Sequence, residues 1–223
     1  VHHHESHAAS AFYVSPFERA ALLTVDGVGE WACSAVGKGD DGGVRLLVEG
    51  HFPHSVGMLY SAVTQHLGFK VNSGEYKLMG LAPYGKRTFV RRLKDEIVQV
   101  NEDGSIALNL ECFDFMVGDR VTSERFSAAV GLPARAPESE LRQEHMDLAR
   151  SMQETLEEIV LKMGRHAVAL TGYRDVCLAG GVALNCVANG RIIREGPFEK
   201  LFVQPAAGDA GGSLGAAAYA AHT

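Results

Sequence analysis

Three glycine-rich turns, each directly after a short apolar run, constrain this chain more than any other feature. They are Asp26-Gly27-Val28-Gly29 after Ala20 to Val25, Gly180-Gly181-Val182 after Val176 to Ala179, and Gly208-Asp209-Ala210-Gly211-Gly212 after Leu201 to Val203. Glycine at the end of a buried strand lets the backbone approach a ligand, and the N-terminus of a following helix favours negative charge there. One such turn is only a turn. Three placed to converge on a cleft suggest a nucleotide, although none has the G-x-G-x-x-G or P-loop spacing.

The pattern between the turns supplies the rest of an α/β fold. Ser6 to Tyr13 has helical potential and ends at Ser15-Pro16, since proline opposes helix both at its own position and at the one before. Ala20 to Val25, Trp31 to Val36 and Val44 to Gly50 read as a three-stranded meander with turns at Asp26 to Gly29 and Gly37 to Gly43. Val56, Leu59, Tyr60, Val63 and Leu67 recur at helical spacing up to Gly68. Thr88 to Val100 reads as a helix, Ser105 to Phe113 as a strand, and Leu110 to Glu138 holds surface connection in which no chemistry is legible. From Glu140 to about Thr171 the apolar residues form one stripe of a long amphipathic helix expected to pack on the sheet. A short strand, a helix over Asn185 to Arg194, another short strand and an Ala-rich helix complete the chain. Meander followed by alternating helix and strand predicts a mixed sheet of ribonuclease-H type.

Charge and composition exclude several functions. A net charge of −6 leaves no clustered cationic surface for wrapping nucleic acid. The run Lys86, Arg87, Arg91, Arg92, Lys94 has the spacing of a solvated helix face. No segment approaches the roughly 20 apolar residues that span a bilayer, so a cytoplasmic protein without a membrane partner is expected. Cys33, Cys112, Cys177 and Cys186 form no C-x-x-C pair, which argues against a zinc knuckle or redox dithiol and for thiols in a reducing compartment.

His3 and His7, four residues apart, share one face of a helix and can present two imidazole nitrogens to one ion. Taken alone, such a pair is more often a pair of surface or core histidines than of ligands. Asp26 and Asp209 alter the balance, because each stands in a glycine-rich turn at the end of an apolar run. Two imidazoles with one or two carboxylates, leaving positions open, suit iron(II), with manganese or zinc as alternatives. An Asx-turn or helix cap is the other reading of each aspartate.

Six blocks in chain order carry a resemblance: Val1-His2-His3-His4-Glu5-Ser6-His7-Ala8-Ala9-Ser10, Leu23 to Trp31, Phe52 to Tyr60, Asn72-Ser73-Gly74-Glu75-Tyr76-Lys77-Leu78-Met79-Gly80-Leu81-Ala82-Pro83-Tyr84-Gly85, Ala179 to Asn185, and the turn from Gly208 to Gly215. The chain resembles the nodulation-type carbamoyltransferase family, whose actin-like module is related to the tRNA threonylcarbamoyl transferase. The resemblance implies a fragment of a larger enzyme. Residues 1–19 would be the end of an N-terminal lobe carrying the metal-binding helix, and residues 20–223 a C-terminal nucleotide-binding lobe. The module that makes carbamoyl-adenylate from carbamoyl phosphate and ATP would be absent, leaving the fragment inactive alone.

The same resemblance implies that His3, His7, Asp26 and Asp209 bind iron(II). The adenylate would lie against Gly27, Val28, Gly29, Glu30, Gly180, Gly181 and Val182, with Asn185 nearby and Gly57 and Lys77 as further pocket members. A hydroxyl of a small-molecule acceptor would attack the carbamoyl carbon, with Asp26 as base. His4 points about 100° from His3 on a helix and is left outside this site. Competing expectations are a tRNA threonylcarbamoyl transferase-like enzyme, a sugar-kinase-like ATP-binding module without carbamoyl chemistry, and a structural fragment whose exposed apolar surface pairs with a second copy as a homodimer.

Overall fold

The computed structural model describes residues 1–115 and 120–222. Its elements in chain order are α1 (His3–Phe12), β1 (Ala20–Gly29), β2 (Ala32–Asp40), β3 (Gly43–His51), α2 (Val56–His66), α3 (Glu75–Leu81), α4 (Val90–Arg92), β4 (Val98–Val100), β5 (Ile106–Leu108), α5 (Glu124–Val130), α6 (Gln143–Thr171), β6 (Asp175–Ala179), α7 (Cys186–Glu195), β7 (Lys200–Val203) and α8 (Gly212–His222). Two compact units emerge. The first comprises 1–57, 102–105 and 160–223, and the second 58–101 and 106–159.

The first unit is built on a five-stranded sheet in the order β3-β2-β1-β6-β7. The first three strands form an antiparallel meander, while β6 runs parallel to β1 and β7 parallel to β6. This is the mixed α/β sheet expected from the sequence. Strand β1 is its central element and is buried throughout Ala20 to Val25. Because a strand points successive side chains to opposite faces, its residues divide by parity. Ala20 and Leu22 join Ala8, Ala11 and Phe12 of α1 in one apolar cluster. Leu23 and Val25 face the other way and line a small apolar cavity with Val160, Leu178 and Ile192.

Helix α1 starts earlier than its apolar pattern suggested, at His3, with Glu5 Oε2 accepting from the His2 N–H at 3.1 Å. It ends where Ser15 Oγ donates to Phe12 O, just ahead of Pro16. On its other side α1 meets α8 at van der Waals limits. A Cβ added to Gly215 would stand 1.9 Å from Ser6 O.

The meander strands are longer than expected. Asp26 to Gly29 continues β1, and the turn is made by Glu30 and Trp31, with Glu30 at φ 62. Likewise Gly37 and Gly39 are inside β2. These glycines mark close approach rather than turns: the ring of Phe12 fills the Cβ position of Gly39, and Arg45 O that of Gly37.

The second unit buries Leu67, Leu78, Leu93, Ile97, Phe126 and Met152. The expected helix Thr88 to Val100 is only α4 and a π-type turn over Leu93–Ile97. Val98-Gln99-Val100 leaves the helix to pair with β5, where β-branched residues fit the pleated backbone. The expected strand Ser105 to Phe113 shrinks to β5, and α5 appears where only connection was read. Of the basic run, Arg87 pairs with Glu154, Arg91 with Asp95 and Lys94 with Glu158. That is a solvated, ion-paired face.

Two predictions follow from this packing. Gly215→Ala should cost about 1–3 kcal/mol, read as a fall in Tm, because the α1–α8 approach has no room for a methyl group; an unchanged Tm would contradict that approach. In the second unit, burial pushes the His66 and His145 imidazoles below their ordinary value. Well above pH 6.5 neither folded nor unfolded state is protonated at these groups. As pH falls below 6.5 the unfolded chain gains protons that the folded one resists, so stability should drop between pH 7 and 5 and His66→Gln should flatten the slope.

Candidate metal centre

The parity of β1 carries past the apolar cluster into a polar one. Thr24 and Asp26 continue the face of Ala20 and Leu22, and α1 lies over that face with three histidines. His7 Nε2 is 2.8 Å from Asp26 Oδ2, His3 Nε2 is 3.2 Å from the same oxygen, and the two imidazole nitrogens are 3.0 Å apart. Asp209 Oδ1 approaches from the turn before α8, at 3.4 Å from His3 Nε2 and 3.6 Å from His7 Nε2. All four ligand atoms lie within 4.8 Å of one another. Ligands about 2.0–2.2 Å from a common ion stand about 3–4.4 Å apart, so the cluster has nearly that size already.

The electrostatics fit a cation at the centre. Asp26 is 14% exposed and His7 1%, whereas Asp209 is 80% exposed. Burial alone would raise the Asp26 carboxyl, but hydrogen bonds from His7, His3 and the Gly27 N–H outweigh it and hold it well below the usual carboxylate range. Asp26 therefore stays anionic. His7 Nδ1 is buried without a hydrogen-bond partner among the described residues, and its Nε2 shares one carboxylate oxygen with a second imidazole. Two imidazoles facing each other across 3.0 Å gain when a cation takes both lone pairs, and this donor set of two nitrogens and two carboxylates is suited to a divalent transition metal.

The expected pocket residues divide into those beside this cluster and those elsewhere. Gly29 admits His3, since a Cβ there would lie 2.0 Å from His3 Cδ2. Gly180, at φ 90, brings its Cα against Val25 O, and a Cβ on Gly181 would stand 3.0 Å from Asp26 Oδ1. Gly57 packs at the start of α2 against the backbone of Asp26 and Gly27. Gly27 has open space in front of it, and Val28 is exposed. Glu30 turns outward and pairs with His2 Nδ1 at 3.2 Å. Val182 lines the small apolar cavity, and Asn185 Oδ1 caps α7 by accepting from the Ala188 N–H at 3.0 Å. Lys77 is in the second unit, on α3, with its ammonium 5.8 Å from the centre of the Phe69 ring.

Sequence reasoning missed three supports. His4 is buried, bonded through Nδ1 to Thr24 Oγ1 at 2.7 Å and through Nε2 to Ala32 O at 3.1 Å. Ser55 Oγ donates to Gly27 O and Asp26 O and so fixes the end of β1. Gln204 reaches from the end of β7 to donate to Ser10 O on α1. The parity of Thr24 with Asp26 was the available signal for His4: a polar residue on a buried strand face needs a polar partner from whatever helix covers it.

Comparison with known proteins assigns this chain to a family. Residues 1–218 match the family model described as "Carbamoyltransferase N-terminus". The protein sll1178 of Synechocystis sp. is 52% identical over 215 residues, which is 96% of this chain and 35% of that protein. Nodulation protein NolNO of Sinorhizobium fredii is 39% identical over 97% of this chain and 30% of its own length. Nodulation protein U of Rhizobium tropici is 31% identical over 99% of this chain and 40% of its own length. The chain thus spans about a third of the length of these relatives. Among solved structures, HypF of T. kodakarensis superposes with a TM-score of 0.55 at 16% identity, over all of this chain and 36% of that one, a likeness of fold. The chain belongs to the carbamoyltransferase family, and its sequence matches the N-terminal region of that family.

Proposed function

We propose that this chain is the metal- and adenylate-binding part of an O-carbamoyltransferase that moves a carbamoyl group from carbamoyl-adenylate to a hydroxyl of a small-molecule acceptor. The observation that carries the reading is the convergence of His3, His7, Asp26 and Asp209 from three separate segments on one ion-sized space. In this reading residues 1–19 end an N-terminal lobe, and the relatives' additional length includes the module that forms carbamoyl-adenylate from carbamoyl phosphate and ATP. The four cysteines, none of them in a disulfide, fit a reducing compartment, and we place the protein in the cytoplasm.

Iron(II), or manganese or zinc in its place, would be held by His3, His7, Asp26 and Asp209 and supply Lewis acidity toward the carbamoyl oxygen. The chain's own groups do the remaining work. Gly27, with open space in front of it, and the partly exposed Gly181 present backbone beside Asp26, and we place the adenylate along Gly27 to Gly29 and Gly180-Gly181, with Val182, Asn185, Glu30 and Gly57 as its outer surroundings. Asp26, held anionic, accepts a hydrogen bond from the acceptor hydroxyl. The hydroxyl oxygen bonds to the carbamoyl carbon, the bond from that carbon to the phosphate oxygen breaks, AMP leaves, and the proton passes to the Asp26 carboxylate.

Metal analysis of anaerobically purified chain tests the site. Wild type should carry close to one equivalent of metal, His3→Ala/His7→Ala should carry none, and Gly29→Ala should bind more weakly because its methyl group displaces the His3 ring. Metal retained in the double variant would sink the assignment. The proton role is tested in the polypeptide extended to the length of its relatives, where Asp26→Asn should lower turnover by about 10²–10⁴. Normal turnover in that variant would remove Asp26 as the base.

A further inference from the structure

His4 is the buried polar side chain that neither the ligand set nor the apolar core explains. It follows His3 directly, yet its ring lies 5.5 Å from that of His3 and 6.0 Å from that of His7, and both of its nitrogens are engaged away from the ion-sized space. Ala32 O can only accept, so Nε2 carries the proton, and Nδ1 accepts from the Thr24 hydroxyl. Rotating the ring by half a turn would break both bonds. The side chain is thus held in one tautomer and one orientation.

The two partners bracket Asp26 on the β1–β2 hairpin. Thr24 is two residues before Asp26 on the same strand face. Ala32 is on the returning strand, paired in register with Gly29, the residue whose missing side chain admits His3. An apolar residue of similar volume would fill the same space without desolvating two nitrogens. What a fully bonded buried imidazole adds is a fixed relation among the parts that it joins.

We propose that His4 is a positioning residue: by stapling α1 to both arms of the β1–β2 hairpin, it sets the separation between the imidazole pair and the Asp26 carboxylate and thereby the affinity and geometry of the bound metal. This rests on the reading of His3, His7, Asp26 and Asp209 as a metal site. The first shell and the staple share one turn of helix, so any tilt of α1 on the hairpin changes all the ligand distances together.

Co(II) is the probe, because its visible absorption reports ligand geometry while titration gives the dissociation constant. His4→Phe and Thr24→Val should each weaken Co(II) binding about 10- to 100-fold and shift the absorption bands. His4→Gln, whose amide can donate to Ala32 O and accept from Thr24, should recover most of the affinity. Ile192→Ala, a core truncation on the opposite face of the sheet, should lower Tm and move neither readout. Wild-type affinity and absorption in folded His4→Phe or in Thr24→Val would overturn the proposal, as would a loss no larger than that of Ile192→Ala. If wild type itself takes up no Co(II), the metal reading fails separately. The staple is then decided on metal-free protein by the imidazole 15N resonances of His3 and His7: a displacement in Thr24→Val supports it, and unmoved resonances overturn it.

Discussion

The packing of α1 on one face of β1 is the contact on which the rest of the first unit depends. A strand repeats every two residues and a helix every 3.6, so the two surfaces match over only a short length. Here the match runs from Ala20 and Leu22 against Ala8, Ala11 and Phe12 to Thr24 against His4 and Asp26 against His3 and His7. The apolar end supplies a driving force of about 25 cal/mol per Å² of buried surface. The polar end takes three imidazoles and a carboxylate out of water, which is unfavourable except where each group finds a partner. A slip of β1 by one residue would turn Asp26 to the other face and leave the histidines buried without it. Register and ligand geometry are therefore one constraint.

The same arrangement explains why Gly27 and Gly29 beside the site continue a strand where the sequence suggests a turn. Two layers that approach closely enough to bring His3 and His7 against Asp26 also bring backbone against ring and backbone against backbone. Gly29 makes way for the ring of His3, and Gly180 for the carbonyl of Val25 at a backbone angle that suits glycine. A turn signal in the sequence is in these places a clearance signal. That is why the strands run longer than the glycine pattern implied.

Much of the first unit was legible because its periodicities are local. The β1 run, the i, i+4 histidines and the two glycine-flanked aspartates each declare themselves within a few residues, and chain order and strand order then place them at one end of one sheet. Less was legible in the second unit, where Val98 to Val100 continues the apolar spacing of a helix and becomes strand only through pairing with Ile106 to Leu108. Helix α5 hid among residues read as connection because seven residues give too few turns to establish a period. The 100° between His4 and His3 is correct but does not take His4 out of the interface: the sheet under α1 is wider than one strand, and the His4 ring still meets Thr24 on β1 and Ala32 on β2.

The four residues of the candidate metal centre are also unequally held. His3, His7 and Asp26 belong to a helix and a central strand whose relation is fixed by core packing, by His4 and by the close approach of Gly29. Asp209 is 80% exposed on a turn with glycine at both ends, and its carboxylate is farther from each imidazole than that of Asp26. A centre with three fixed donors and one adaptable donor can hold its ion in a constant place while changing the number of positions left for other oxygen ligands. The fixed relation of His3, His7 and Asp26 comes from the apolar face of β1, and the latitude of Asp209 from its exposed place outside that contact.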